Sequence, residues 1–261
     1  MKSNIEVAKH TVTEKFLAMQ ISNTDKRRTI SQEFCRQHLS HVDSRAYCDI
    51  LTGRDITPHL DEIKAAINNL EHVLSLIFVP SCEYSMWFFS LIENILSPQD
   101  FAAALRYCYT IASTYESIPH GRIRQYFEQI DPQHIMDDEE IVRYNELPDT
   151  ITAYRGSPEI RMRGLSWSLD IGQACFFADR HKNEVVYEAT IDKSKVFAFF
   201  GGESEIIADV RDCDIKQYDG PTVERQKWSG KSGCYHILQR RMPEHLIYGY
   251  IEGIHVNKIC T

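Results

Sequence analysis

The spacing of apolar residues changes once along this chain, and that change limits the folds open to it. Before about residue 131 apolar positions recur every three or four residues, as in Leu60, Ile63, Ile67, Leu70, Leu74 and Ile77. After residue 150 they alternate, as in Thr150-Ile151-Thr152-Ala153-Tyr154-Arg155 and Glu184-Val185-Val186-Tyr187-Glu188-Ala189-Thr190-Ile191. The first period lines one face of a helix and the second one face of a strand. The chain therefore reads as α+β, with a helical N-terminal subdomain over residues 1–135 and a strand-rich domain over 136–261. With 261 residues, 43% of them hydrophobic, it has the means to bury a core.

Local signals sharpen this outline. Thr57-Pro58 opens the long apolar series and Val79-Pro80-Ser81 closes it, which predicts one helix between them. A second runs through Tyr84, Trp87, Phe88, Leu91, Ile92 and Ile95, and Ser97-Pro98-Gln99-Asp100 caps a third. Two shorter helices are expected over 11–19 and 31–39. Residues 131–150 read as a connector with one short helix, whose acidic run Asp137-Asp138-Glu139-Glu140 is a solvated face or a helix start without chemistry. Strands follow at 150–155, 184–191, 195–199, 205–210, 214–218 and 246–251, with a helix over 170–179.

Charge and cysteine usage narrow the function classes. Asp and Glu number 37 against 29 Lys and Arg, a formal net charge of −8, so the overall field does not attract nucleic acid or an anionic membrane. The eight cysteines show no Cys-x-x-Cys spacing and several sit among apolar residues, which predicts free thiols in a reducing cytoplasm, without disulfides or zinc. The histidines, including His236, His245 and His255, lack ligand spacing, and no metal is expected. The start of the chain has no apolar secretion segment, and no stretch is apolar enough to span a bilayer, so no membrane partner is expected. Lys227, Lys231, Arg240 and Arg241 surround Trp228 and Tyr235. A solvated face is expected there, with a polyanion contact as the alternative.

Three motifs stand in order in the second half: Tyr154-Arg155-Gly156, then Gly164-Leu165-Ser166-Trp167-Ser168, then Gly201-Gly202-Glu203-Ser204-Glu205-Ile206-Ile207. Each falls at a predicted strand edge or turn. A guanidinium suits a bidentate grip on phosphate, and a carboxylate beside a ribose stabilises the positive charge that grows as a glycosidic bond breaks. Such a set points to chemistry on NAD. In an extended segment Glu203 and Glu205 share a face, which puts Glu203 where it can orient or deprotonate an incoming nucleophile. Taken singly, each residue also fits a bland role: Arg155 a surface ion pair, Ser166 and Ser168 turn and cap residues, Glu203 a solvated loop.

This order, with its flanks and the helix carrying Ala174-Cys175-Phe176-Phe177-Ala178, resembles the arginine, serine and Glu-x-Glu signature of the arginine-serine-glutamate class of mono-ADP-ribosyltransferases. The resemblance covers roughly residues 150–255 and implies a split-sheet catalytic domain that takes NAD+ as substrate. It implies Glu205 as the catalytic glutamate that also holds the ribose 2′-hydroxyl, Glu203 as the acceptor-side glutamate, and Ser166 as the residue that holds the site in register. Arg155, Gly156, Ser166, Ser168 and Tyr154 form the implied cofactor-binding group, with Gly156 admitting the nicotinamide carboxamide. Phe197, Phe199 and Phe200 are sheet core, or one of them lines the nicotinamide pocket. The acceptor implied is a macromolecule, with protein arginine favoured by Glu203 and RNA the runner-up. A bacterial toxin or phage-defence role follows, with an antitoxin-like inhibitor as partner. The rival readings are an NAD glycohydrolase and a non-catalytic binding module.

Overall fold

A computed structural model describes residues 4–18, 29–43, 50, 59–112, 118–180, 185–220, 234–243 and 246. They fall into two units, one of Met1–Pro119 with Cys234–Thr261 and one of His120–Gly233. The division thus lies at Pro119/His120, upstream of the 135/136 boundary drawn from sequence, and the final segment groups with the helical unit. Packing gives the reason: residues 127, 136, 140 and 144 lie against strands of the second unit, whereas the helix Cys234–Gln239 packs on a helix of the first.

In the helical unit, α1 (Asn4–Thr11) runs into a π-helical turn at Val12–Phe16, so the first helix begins earlier than the predicted 11–19. The turn buries Phe16, which meets Phe88 edge-on at 5.1 Å. α2 (Gln32–His38) starts where Ser31 predicts, with Ser31 Oγ accepting from the Phe34 amide at 3.0 Å. The long apolar series is broken in two, as α3 (Leu60–Asn68) and a 3₁₀ helix at Val73–Phe78. Lys9 Nζ reaches the Asn68 carbonyl at 2.7 Å and ends the first piece, while His72 Nδ1 accepts from the Leu74 amide at 3.2 Å and starts the second. Ile63, Ile67, Leu74 and Ile77 are nonetheless all buried. α4 (Ser85–Ile92) and α5 (Pro98–Ile111) follow, the latter capped by Ser97 Oγ on the Asp100 amide.

The second unit opens with α6 (His120–Glu128), α7 (Pro132–Ile135) and α8 (Asp138–Glu146), so the predicted connector holds two helices where one was expected. Then come β1 (Thr150–Gly156), β2 (Ser166–Ser168), α9 (Ile171–Arg180), β3 (Val186–Asp192), β4 (Val196–Phe200), β5 (Glu205–Ala208) and β6 (Ile215–Gln217). The strands form one six-stranded antiparallel sheet in the order β4-β5-β2-β1-β3-β6. β1 and β3 pair along their whole length, from Thr150↔Asp192 to Gly156↔Val186. β1 and β2 pair only at Tyr154↔Ser168. Within the one sheet, β4-β5-β2 and β1-β3-β6 are thus joined by a single residue pair.

Alternation explains β1 and β3: Ile151, Ala153, Ala189 and Ile191 are buried between exposed threonines. The outer edge of β4 is covered. Tyr144 Oη donates to the Val196 carbonyl at 3.0 Å, Met136 Sδ accepts from the Phe199 amide, and Glu140 Oε1 accepts from the Gly201 amide just past the strand. Among the described residues, no helix is long and apolar enough to cross a membrane. Of the sequence expectations, Thr57-Pro58, Lys227, Trp228, Lys231, His245, His255 and residues 247–251 of the last strand lie outside the described residues.

Candidate functional site

Pairing across the sheet sets one row of residues side by side. Phe200 pairs with Glu205, Glu205 with Ser168, Ser168 with Tyr154, Tyr154 with Glu188, and Glu188 with Lys216. Directly opposed residues project to the same face, and neighbouring strands are ~4.8 Å apart, so Glu205, Ser168 and Tyr154 share one face within about 10 Å. Ser166, two residues before Ser168, lies on that face as well, opposite Ile207. Separate segments of the sequence are brought onto three adjacent strands, β1, β2 and β5. Ser166, Glu203 and Glu205 are each half-buried.

Arg155 follows Tyr154 on β1 and bonds the loop and strand that come after it. Its Nε donates to the Arg161 carbonyl at 3.1 Å and its Nη1 to the Ser166 carbonyl at 2.5 Å. Beyond the single β1–β2 pair at Tyr154↔Ser168, the guanidinium links β1 to the Ser166 carbonyl of β2. Gly164 makes room for it: a Cβ there would come within 2.5 Å of Nη2 and 2.7 Å of Cζ. The arginine that sequence reading assigned to a phosphate thus also holds the loop between β1 and β2 closed against Ser166.

Glu203 and Glu205 are separated by a change of backbone direction. Gly201–Glu203 is a 3₁₀ turn, and Ser204 is left-handed at φ 47°, ψ 43°. The extended geometry that would have aligned Glu203 with Glu205 is therefore absent: Glu205 belongs to the β5 ladder, and Glu203 to the turn before it. The two glycines make such a turn accessible, and it is stitched down on the far side. Ser168 Oγ donates to the Glu203 carbonyl at 3.1 Å and the Leu169 amide donates to the Ser204 carbonyl at 2.8 Å. Ser168 also accepts from the Asp170 amide at 3.0 Å, and Asp170 Oδ1 accepts from the Gly172 amide at 2.7 Å, which caps α9.

The remaining predicted residues have clear places. Gly156 faces α9, where an added Cβ would collide with the Ala174 carbonyl oxygen and the Ala178 amide nitrogen, so the structure gives this glycine a packing role. Tyr154 meets Tyr218 edge-on at 5.7 Å. Burial pushes its phenol above the ordinary tyrosine value, Glu188 and Tyr218 act in the same direction, and Lys216 opposes them. Lys216 itself pairs with Glu188 at 3.0 Å. Trp167 is fully buried, as expected, with Nε1 donating to the Gly164 carbonyl at 2.8 Å. Of the three uncertain phenylalanines, Phe197 stacks on Phe127 at 6.4 Å, and Phe199 and Phe200 are buried.

Two features escaped sequence reading. Asp209, just after β5, is buried and accepts Nε and Nη2 of Arg211, which holds its carboxyl below the usual range. Arg163 wraps the same turn, with Nη1 within hydrogen-bond distance of the carbonyls of Val210, Arg211 and Cys213. The other feature is Glu140. It completes a capping box with Asp137, at 2.9 Å in both directions, and is only 4% exposed. The Asp-x-x-Glu spacing was the available signal.

The protein is thus of mixed α+β class, built on an open antiparallel sheet of six strands. No family model, curated protein or solved structure matches the chain.

Proposed function

We propose that the protein is a mono-ADP-ribosyltransferase that moves ADP-ribose from NAD+ to a macromolecular acceptor, with protein arginine favoured. The observation that carries this reading is the placement of the three motifs on the adjacent strands β1, β2 and β5, with Ser166 and Glu205 on one face and Arg155, from the neighbouring position to Tyr154, bonded to the Ser166 carbonyl.

The residues suit the dinucleotide. The Arg155 guanidinium puts a permanent cation beside the Ser166 carbonyl, where a diphosphate can be held. Ser166 offers a hydroxyl on the same face as Glu205. As the bond from ribose to nicotinamide lengthens, positive charge grows on the ribose, and the Glu205 carboxylate stabilises it most where the charge is greatest. Nicotinamide leaves with the bonding pair, and the acceptor nucleophile then attacks the anomeric carbon. Glu203 takes the proton the nucleophile gives up. The toxin or phage-defence role and an antitoxin-like partner rest on the family resemblance of these motifs.

A second reading, hydrolysis of NAD+ with water as the nucleophile, is favoured by the turn at Ser204, which takes Glu203 out of line with Glu205. NAD+ tagged on the adenine, offered with separate pools of cell protein and cell RNA, tests both readings. Label on protein with wild type and not with Glu205→Gln supports the transferase, and label on RNA alone reassigns the acceptor. Loss of NAD+ without label selects the hydrolase. NAD+ left intact under every acceptor overturns both readings in favour of a binding module.

A further inference from the structure

We infer that Glu140 is a positioning residue for the glutamate turn, coupling α8 to acceptor use; the inference rests on the function proposed above. Its carboxylate is buried and divided between two backbone donors. Oε2 accepts from the Asp137 amide at 2.9 Å, inside the capping box, and Oε1 accepts from the Gly201 amide at 2.8 Å, sixty-one residues away. An ordinary capping box ends at the first of these bonds. Here the second oxygen fixes the first residue of the turn that carries Glu203. The turn then has two anchors. Glu140 holds its start, and Ser168 and Leu169 hold its end through the carbonyls of Glu203 and Ser204.

The ladder pair Phe200↔Glu205 closes both ends of the turn, but inside it Gly201 and Gly202 impose little backbone preference of their own. A charge-assisted hydrogen bond shielded from water is a strong way to hold so permissive a pair. α8 is well placed to supply it, because Met136 and Tyr144 dock on the neighbouring backbone of β4. Loss of the Glu140 bond frees Glu203 and leaves Glu205, Ser166 and Arg155 seated. The step that depends on Glu203, acceptance by the nucleophile, should suffer, and cleavage of NAD+ should persist.

Glu140→Gln keeps the size and offers only one carbonyl acceptor for two amides. Asp137→Asn weakens the capping box without touching Gly201 and serves as the control for helix stability. Hydrogen exchange of the 201–204 amides should rise about tenfold in Glu140→Gln relative to Asp137→Asn, the equivalent of one such hydrogen bond. The ratio of transfer to NAD+ hydrolysis should fall about fivefold or more, with KM for NAD+ within about twofold of wild type. Equal exchange in the two variants overturns the tether, and faster exchange with an unchanged ratio overturns its role in acceptor use. A wild type that consumes no NAD+ refutes the proposed function instead, and exchange still decides whether Glu140 holds the turn.

Discussion

Ser168 Oγ donates to the carbonyl oxygen of Glu203 at 3.1 Å, so the middle motif of the chain physically holds the last one. The same hydroxyl accepts the Asp170 amide, which makes it a junction between the glutamate turn and the start of α9.

Ser168→Ala removes both bonds at a site only 8% exposed. Two backbone groups then lose a partner, and the cost should be about 1–2 kcal/mol of unfolding free energy by denaturant titration. Transfer to the acceptor should fall as well, because the turn that carries Glu203 loosens. A variant as stable as wild type would show that water replaces the hydroxyl at no cost.

Glu205→Gln should abolish both transfer and NAD+ hydrolysis, by about a hundredfold or more, with little change in melting temperature. Glu203→Gln should reduce transfer and spare hydrolysis. Parallel rates of nicotinamide release and acceptor labelling separate the two variants. Equal loss of both activities in Glu203→Gln would remove Glu203 from acceptor chemistry.

Gly156→Ala tests whether this glycine serves packing. A methyl group there meets backbone atoms of α9, which cannot swing aside as a side chain would. Destabilisation of about 3 kcal/mol is expected, visible in thermal melts without any nucleotide present. If the variant keeps its stability and loses only affinity for NAD+, the glycine serves the ligand.

Much of the fold could be read from the sequence because it depends on local signals. Ser97-Pro98 starts a helix where its side chain predicts, and Tyr154-Arg155-Gly156 ends a strand where expected. What could not be read depends on contacts distant in the chain. The break after Asn68 is set by Lys9 from another helix, and the burial of Glu140 by an amide at Gly201. The left-handed Ser204 is a third such case. Glu-Ser-Glu beside Ile-Ile reads as extended, and the bonds from Ser168, Leu169 and Glu140, all distant in the chain, hold it as a turn.

Ser204→Gly should leave that turn intact and relieve the cost of a left-handed non-glycine residue, raising stability by about 0.5–1 kcal/mol. Ser204→Val should lower it by more, since a β-branched side chain resists positive φ. Paired denaturation curves check both directions. A stabilising valine would mean that the segment is extended and that Glu203 and Glu205 share a face after all.

Acid should weaken the helical unit through His72. Its Nδ1 must be unprotonated to accept the Leu74 amide that starts the 3₁₀ helix, and burial holds its pKa below the ordinary histidine value of 6.5. Asp100 opposes that shift and Arg241 adds to it. His38 is also lowered by burial. The folded state therefore binds fewer protons than the unfolded one. The contribution of these histidines to stability is complete above about pH 6.5 and is lost as pH falls toward the folded pKa values. His72→Asn keeps an acceptor two residues before Leu74 without a titrating ring. Thermal melts between pH 7.5 and 5.5 should show a smaller fall in Tm for this variant than for wild type, with the remainder due to His38 and other titrating groups. The same fall in both proteins would mean that protonated His72 keeps its fold, with the Leu74 amide satisfied by another acceptor.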